Sequence, residues 1–413
     1  MKPWRALLAA LVLAASTDVA ARDLRLPNGV EVPVTVHPAR GELLFLWLPS
    51  GFGSQAAEAP LARELARRGV EVWQADVLEG RLLPPLESSL EQVPAEDIAL
   101  LVDAAARTGK RVLVAAAARA GLLALAGTQH WLANHPRTPS VLAGLILLHP
   151  NLYVGPPAPG RDAEYHPLAA RNRLPVFIFQ PEQSPWRWRL AAARAELEKG
   201  GAAVYSWLLT DVRDRFYFRP DATEGEAVAT QRFAGMLQSA ALRLAATPLA
   251  PANAPAAVAA PKAAAGSRGL QPYRGDPPPL ALATLDGRLD LAAMRGKVVL
   301  VNFWATWCPP CVHEMPSLQR LKDRLAGRPF EILAVNMGES ERDIRAFLDT
   351  KVKVDFPILL DRDGAVLKAW KVFVFPTSYV LDTEGRIRLG VFGEIEWDGP
   401  EVVQQVLELL PRF

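Results

Sequence analysis

Apolar residues in the first half of the chain come in short runs, separated by stretches with helical periodicity. The runs consist mostly of leucine, valine and isoleucine, which predicts strands buried on both faces of a sheet. The predicted strands lie at 43–48, 70–73, 111–116, 142–148, 176–179 and 204–209, and the predicted helices include 98–106, 122–131, 187–198 and 226–245. Repeated alternation of strand and helix predicts a parallel sheet covered by helices on both faces.

A second region of alternating pattern begins at Gly275. Its main feature is the continuous apolar, β-branched run 297–304, which predicts a buried strand. Apolar residues at helical spacing follow from 312 to 325, so this strand leads almost directly into a helix. Further strands are predicted at 330–335, 378–382 and 386–390, with helices at 342–348 and from residue 400. The predicted fold class for both regions is α/β.

The segment between the two regions, 246–271, is rich in proline and alanine and has almost no large apolar residues. Such a segment cannot bury enough surface to offset the entropy lost on ordering, so we expect an extended tether. The predicted divisions are a first domain over 22–245, a linker over 246–275 and a second domain over 276–413.

The first 21 residues have the pattern of an export signal. Lys2 and Arg5 precede the apolar run 6–15, and Val19-Ala20-Ala21 provides a small-residue cleavage site. Ten apolar residues are too few to span a bilayer, which needs about 20. We expect cleavage after Ala21 and a bacterial periplasmic location; the alternative is an uncleaved segment that anchors the protein to the membrane.

Composition argues against nucleic-acid binding and limits any cysteine chemistry to two residues. The 413 residues carry a net charge of only +2, with scattered arginines and no basic tract, so nucleic-acid binding is not expected. The chain contains only two cysteines, Cys308 and Cys311, separated by two residues at the predicted strand-to-helix junction. Any chemistry that these cysteines perform, they perform together.

Two cysteines in this position predict a thioredoxin-like redox pair. The helix N-terminus stabilises a thiolate, which lowers the pKa of Cys308 below the free value of about 8.5 and makes it the nucleophile. Cys311, one turn further along the helix, is then the resolving thiol. No cofactor is expected besides this redox-active disulfide.

The sequence argues against two other roles for the pair. A structural zinc site needs four ligands, but the chain has no second cysteine pair and His313 is the only histidine nearby, so no metal is expected. Peroxiredoxins carry a P-x-x-x-T-x-x-C run. Here Ala305 occupies the threonine position and 302–308 contains no proline, which argues against peroxidase chemistry.

Several short motifs of the second region occur together and in a recognisable order. They are Arg295-Gly296-Lys297, Phe303-Trp304-Ala305-Thr306-Trp307-Cys308, Cys311-Val312-His313-Glu314-Met315-Pro316, Leu360-Asp361-Arg362-Asp363-Gly364 and Pro376-Thr377. Over 276–413 the chain resembles the TlpA/ResA family of thioredoxin-like thiol-disulfide oxidoreductases. The resemblance implies a thioredoxin-like fold and reduction of exported proteins, for example during cytochrome c maturation.

The resemblance also implies roles for residues outside the cysteine pair. Glu314 stands where the family has a glutamate that exchanges a proton with the resolving thiol; the alternative is an ordinary exposed helix glutamate. Asn302 replaces the buried aspartate of ordinary thioredoxins. Pro376 is at the family's cis-proline position. The residues expected to contact substrate are Trp307, Phe375, Pro376 and Thr377.

The layout of strands and helices over about 30–245 resembles the α/β-hydrolase fold, but its catalytic motifs have decayed. Ala117-Ala118-Arg119-Ala120-Gly121 stands where G-x-S-x-G is expected, which puts Arg119 in the nucleophile position. A guanidinium cannot act as a nucleophile. Glu182 is the only acid near the expected place, and 210–219 contains no histidine. We expect an inactive domain; the alternative is a hydrolase with a displaced nucleophile.

Three residues of the first domain have open roles. Arg119 is expected either to bind an anion or a partner's carboxylate, or to cap loop carbonyls. His149, just after a strand, is expected to be a structural hydrogen-bonding residue. The Gly-Ser turn from Ser50 to Ser54 resembles an oxyanion loop but is also ordinary turn chemistry.

The sequence thus predicts a periplasmic thiol-disulfide oxidoreductase, most simply a reductase of exported protein disulfides. Its expected partners are a protein thiol or disulfide substrate and a membrane electron donor that returns the pair to the dithiol state. The first domain is expected to recruit a partner to the tethered redox domain, because a short tether raises local concentration to about the millimolar range.

Overall fold

The computed structural model describes residues 20–155, 163–251 and 269–411. These residues form two α/β domains, each built on an eight-stranded sheet. The strand and helix alternation predicted for both regions is therefore confirmed. Residues 1–19 of the predicted export signal and 252–268 of the predicted linker lie outside the described residues, and both assignments stay predictions.

The sheet of the first domain has two antiparallel pairs at one edge and is otherwise parallel. Its strands are β1 (Ala20–Arg25), β2 (Glu31–His37), β3 (Leu43–Trp47), β4 (Val70–Ala75), β5 (Arg111–Ala117), β6 (Leu142–Leu148), β7 (Val176–Gln183) and β8 (Val204–Arg213). They lie in the order β1-β2-β4-β3-β5-β6-β7-β8. The carboxyl ends of β3 to β8 consequently meet at one edge, where α/β sheets hold their functional residues.

Helices cover both faces of this sheet. They are α1 (Ala59–Arg67), α2 (Val77–Gly80), α3 (Glu87–Leu90), α4 (Ala95–Ala106), α5 (Ala120–Asn134), α6 (Pro167–Ala170), α7 (Leu190–Glu198) and α8 (Glu224–Ala245). Along β3, Leu44 and Leu46 join one apolar core, whereas Phe45 and Trp47 join the other. Successive side chains of a strand point to opposite faces, so the continuous apolar run of β3 supplies both cores.

The second domain repeats this design around a different sheet. Its strands are β9 (Gln271–Gly275), β10 (Ala281–Thr284), β11 (Gly287–Asp290), β12 (Val298–Trp304), β13 (Phe330–Met337), β14 (Ile358–Asp361), β15 (Thr377–Leu381) and β16 (Ile387–Phe392), and its helices are α9 (Pro309–Arg324), α10 (Glu341–Thr350), α11 (Ala365–Ala369) and α12 (Pro400–Leu407). The strand order is β11-β10-β14-β13-β12-β15-β16-β9. Strand β12 lies inside the sheet, parallel to β13 and antiparallel to β15.

Residues at both ends of the expected linker belong to the domains. Arg173 donates hydrogen bonds of 3.0 and 2.8 Å to the carbonyl of Ala250, which holds that residue against the first domain. Strand β9 pairs with β16, so the second sheet begins at Gln271, upstream of the expected start at 276. Within the described ranges, no helix is long and apolar enough to cross a membrane.

Candidate redox active site

The two cysteines lie at the junction between β12 and α9 and are joined as a disulfide. Cys308 is the N-cap residue of α9, and its Sγ accepts a hydrogen bond of 3.3 Å from the backbone N–H of Cys311. Cys308 is the cysteine nearer solvent and is 5% exposed, whereas Cys311 is completely buried. The helix N-terminus therefore faces the sulfur that is more accessible, where it favours the thiolate form after reduction.

Glu314 lies one turn beyond Cys311 on α9 and is buried, with 2% of its surface exposed. Its carboxylate accepts hydrogen bonds from Asn302 at 2.7 Å, from the indole N–H of Trp397 at 3.3 Å and from the backbone of Ile395 at 3.5 Å. Burial raises the pKa of Glu314 to about 8, although these three donors act in the opposite direction. The alternative of an ordinary exposed glutamate is therefore wrong.

Asn302 connects the central strand to this carboxyl group. Its Nδ2 donates both to Glu314 and, over 2.9 Å, to the hydroxyl of Ser378 on β15. An amide has two N–H donors, and a neutral group here leaves the carboxyl of Glu314 as the ionisable group in the network. Ordinary thioredoxins have a buried aspartate at the position of Asn302. In this protein the ionisable group of the network is instead Glu314, on the helix that follows the strand.

A second carboxylate, half-buried, lies beside the cysteine loop and was not anticipated from the sequence. Glu339 accepts hydrogen bonds from both the backbone N–H and the hydroxyl of Thr306, and from Asn336 at 2.7 Å. Burial raises the pKa of Glu339. Because β13 is parallel to β12, residues that directly follow the two strands meet at one edge of the sheet. The contact between Thr306 and Glu339 could have been inferred only from this strand register.

Two of the expected substrate-contact residues, Trp307 and Phe375, pack against the apolar cluster that contains the cysteine pair. The peptide bond between Phe375 and Pro376 is cis. The rings of Trp307 and Phe375 lie with their centroids 5.7 Å apart, and both side chains are partly exposed. The hydroxyl of Thr377 donates to the carbonyl of Val374 over 2.8 Å, so it holds the loop rather than facing outward. This arrangement places an aromatic surface next to the more accessible sulfur.

Comparison with known proteins places this site in a family. A model described as "AhpC/TSA family" matches residues 276–389. The chain is 42% identical over 115 residues to "Thioredoxin-like protein YneN" of Bacillus subtilis, and 37% identical over 132 residues to "Thiol-disulfide oxidoreductase ResA" of Geobacillus thermodenitrificans. These matches cover 27% and 32% of this chain, and 66% and 74% of the relatives.

The second domain belongs to the ResA-like thiol-disulfide oxidoreductases. Membership confirms the resemblance and the enzyme class expected for this domain. The chain spans just under two thirds of the YneN and B. subtilis ResA sequences, at 66% and 63% of their lengths. Among solved structures, a putative DsbE of Chlorobium tepidum is 30% identical with a TM-score of 0.32, and the match covers 33% of this chain and 97% of that one.

The ResA-like domain lacks a metal-binding cluster in the parts that the structure describes, where no group of three or more His, Cys, Asp or Glu residues is suitably placed. His313 lies on the exposed side of α9, with its Nδ1 3.7 Å from the carboxylate of Glu394. Two carboxylates lie near the ResA-like site. Glu314 is buried one helical turn after Cys311, and Glu339, after β13, is half-buried and binds Thr306 in the loop before Cys308.

The corresponding edge of the first domain differs from the sequence-based assignment at the nucleophile position. The residue with positive φ at the turn between β5 and α5 is Ala118, at +48°, whereas Arg119 is an ordinary N-cap residue with φ −66°. A nucleophile elbow holds its serine at the strained residue of this turn. Compared with such an elbow, the strained residue of this turn is Ala118 rather than Arg119, and its methyl group has no nucleophilic atom.

Arg119 is used inside the first domain. Its guanidinium forms an ion pair of 2.6 Å with Glu91 and donates hydrogen bonds to the carbonyls of Tyr153 and Val154. These contacts correspond to the alternative in which Arg119 caps loop carbonyls. It also lines a cavity of about 250 Å³ whose other walls are mostly apolar, including Leu122.

The remaining hydrolase candidates are separated or occupied. Glu182 pairs with Arg187 at 3.2 Å. His149 is buried, and burial together with the charge of Arg215 lowers its pKa to about 3, so its ring is neutral. After β8 the buried acid is Asp214, which accepts a hydrogen bond from Ser184 and whose pKa burial raises to about 7. These residues do not supply a nucleophile, base and acid in contact.

Proposed function

We propose that this protein is an exported thiol-disulfide reductase that acts on disulfides of other exported proteins. The observation that carries the proposal is the disulfide at the N-terminus of α9, with its more accessible sulfur on Cys308 and its buried sulfur on Cys311. This asymmetry supports a division of labour between an attacking thiol and a resolving thiol. Membership of the ResA-like family supports the same reaction class.

The proposed reaction moves two electrons from the protein dithiol to the substrate. The Cys308 thiolate attacks one substrate sulfur, the substrate S–S bond breaks, and the other substrate sulfur leaves as a thiolate. Cys311 then loses its proton and attacks the Cys308 sulfur. The mixed disulfide breaks, the second substrate thiolate leaves, and the protein disulfide is formed.

Glu314 is proposed to handle the proton of Cys311. Cys311 is inaccessible to water, so the proton needs a nearby acceptor when the thiol attacks. The ionised carboxyl of Glu314 takes that proton. Because its pKa is about 8, the carboxyl group then stays largely protonated at neutral pH once the protein disulfide has formed. When a donor reduces the disulfide again, the same carboxyl returns the proton to the departing Cys311 sulfur.

The exposed aromatic pair supports a peptide substrate. Trp307 directly precedes Cys308, and its ring lies 5.7 Å from that of Phe375, so the two partly exposed rings offer an apolar surface beside the disulfide. We propose that an extended segment of the substrate lies across this surface. The pattern of residues 1–21 supports export to the periplasm, where a membrane electron donor would restore the dithiol. Apocytochrome c is one substrate of the proposed kind.

We further propose that the first domain is a catalytically inactive, α/β-hydrolase-like module. The support is the layout of its sheet, with six strands parallel from β3 to β8 and a strained turn between β5 and α5. Ala118 at that turn removes the nucleophile. The domain keeps the scaffold of the fold without its reaction.

The experiment that tests the reductase proposal uses the full chain, reduced beforehand and freed of reductant. It is mixed with a peptide cyclised by a disulfide, and product thiols are measured in one turnover. One peptide disulfide should be reduced per protein, and Cys308→Ser should reduce none. A measured potential near that of DsbA, about −120 mV, rather than near thioredoxin, about −270 mV, would contradict a reductase.

A further inference from the structure

The two domains touch at the loop that leads into the cis proline. The contact from the first domain is a short 3-10 turn, Arg187–Arg189, between β7 and α7. The guanidinium carbon of Arg189 lies 3.6 Å from the ring centroid of Phe373, and its Nη2 donates a hydrogen bond of 3.2 Å to the carbonyl of Val372. Phe373 is 3% exposed, so this stack is shielded from water.

Trp188, in the same turn, rests on two glycines of the redox domain. A Cβ atom added at Gly364 would lie 2.6 Å from the indole ring, and one added at Gly338 would lie 3.1 Å from it. Contacts this short would displace the ring, so both glycines leave a flat surface for it. Lys368 lies above the ring, with its Nζ 5.6 Å from the centroid. Residues of both domains therefore form this contact: the first domain provides the ring of Trp188, and the redox domain provides the two glycines and Lys368 around it.

The loop held by this contact is the one that forms the substrate surface. It runs from Val372 and Phe373 to Phe375, which packs against Trp307 beside Cys308. The ring of Tyr153, from the first domain, packs edge-on against Phe373 with centroids 5.9 Å apart. One short segment thus contacts the first domain at one end and the active site at the other.

We propose that Trp188 and Arg189 are positioning residues that hold the loop Val372 to Pro376 in its substrate-binding conformation. The first domain is then a fixed part of the reductase, and it raises affinity for peptide disulfides by preorganising their binding surface. The substrate class rests on the function proposed above. A flexible tether would act differently, since it changes only the local concentration of a recruited partner.

The test compares full-length variants in single-turnover reduction with two substrates: a disulfide-cyclised peptide and 2-hydroxyethyl disulfide, which is too small to span the loop. Arg189→Gln should raise the half-saturating peptide concentration about 2- to 30-fold, the range given by a cation–π contact of roughly 0.5–2 kcal/mol. The maximal rate and the reaction with 2-hydroxyethyl disulfide should not change. Arg189→Lys, which keeps the cation, should recover part of the affinity.

Arg243→Gln is the matched control, because Arg243 stacks on Tyr205 at 4.9 Å within the first domain, away from this contact. Hydrogen exchange of the backbone amides over 371–375 gives a readout that does not depend on activity. Arg189→Gln and Trp188→Ala should speed exchange there, whereas Arg243→Gln should not.

Unchanged exchange and unchanged half-saturation in both contact variants would overturn the proposal. Equal slowing with both substrates would also overturn it, since that result means altered redox chemistry rather than altered peptide binding. If the unmodified chain failed to reduce the peptide, the proposed function and the substrate part of this inference would fall. The exchange measurement would still decide whether the first domain holds the loop.

Discussion

The amide of Asn302 donates a 2.7 Å hydrogen bond to the carboxyl group of Glu314, linking the central strand β12 to the active-site helix α9. The bond is buried and joins a neutral side chain to an ionisable one. Because Glu314 has a raised pKa of about 8, a proton is available one helical turn from Cys311 at neutral pH. The redox pair and this carboxyl group are therefore positioned by the same two elements.

Changing Glu314 to Gln keeps the shape of the side chain and removes its proton. We expect reduction of a peptide disulfide at pH 7 to slow by about 100-fold, within the range typical of general acid–base catalysis. The pH–rate profile of Glu314→Gln should also lack the step near pH 8 that this carboxyl group gives the parent. Glu408→Gln, which changes an exposed glutamate at the C-cap of α12, is the control. Equal rates in parent and Glu314→Gln would assign no proton role to Glu314.

Glu314→Gln should also change how the free energy of unfolding depends on pH. The folded pKa of about 8 is above the ordinary value of 4.5, so the folded protein binds more protons than the unfolded chain between these two pH values. The free energy of unfolding of the oxidised parent should therefore fall as pH rises from about 5 to 8. Glu314→Gln should show a shallower fall, measured by urea unfolding at both pH values. An identical slope would contradict the burial of this group.

Cys311→Ser should trap substrates on Cys308 as mixed disulfides, because the resolving thiol is absent. The structure supports this direction of attack, since Cys308 is the more accessible of the two sulfurs. Non-reducing electrophoresis of the variant with a peptide disulfide should show a covalent adduct that dithiothreitol releases. Adducts that survive in Cys308→Ser but not in Cys311→Ser would reverse the two roles.

Glu339 should matter for stability as well as for the cysteine loop. Glu339→Ala leaves the backbone N–H of Thr306 and the amide of Asn336 without their acceptor, which should cost roughly 1–3 kcal/mol of unfolding free energy. Urea unfolding measures this loss, and Glu408→Ala should change little because that side chain is exposed. A Glu339→Ala protein as stable as the parent would mean that water replaces the carboxylate.

The sequence was most informative where neighbouring residues act together. The cysteine pair, the strand before it and Glu314 lie close in the chain, so their relationship could be inferred from spacing and from a family resemblance. The indole that completes the Glu314 site was not inferred, because Trp397 is 83 positions away and reaches it only through the closing segment of the domain. Glu339 was missed for a related reason, since its partner is set by strand register.

Backbone geometry explains why the turn between β5 and α5 was not fully described by its sequence. Aligning G-x-S-x-G by letters placed Arg119 in the nucleophile position, whereas the strained residue of the turn is Ala118. The dihedral angles of a turn depend on where the strand ends and the helix begins, and a one-residue shift leaves the sequence pattern almost unchanged. The contact through Arg189 was also invisible in the sequence, because it joins residues of two different domains.

The first domain should have no serine-hydrolase activity even when a serine is introduced at the turn between β5 and α5. Fluorophosphonate should label neither the full-length parent nor Ala118→Ser. The variant gains a hydroxyl at the elbow, but His149 is buried with a pKa of about 3, and the acid after β8 is the buried Asp214. A serine hydroxyl without a contacting base is a weak nucleophile.

Labelling is read by mass spectrometry after proteolysis, with an active serine esterase as the positive control. Stoichiometric labelling of the parent at Ser50 or Ser54 would instead support a hydrolase with a displaced nucleophile, and labelling only in Ala118→Ser would mean that a base does reach the elbow.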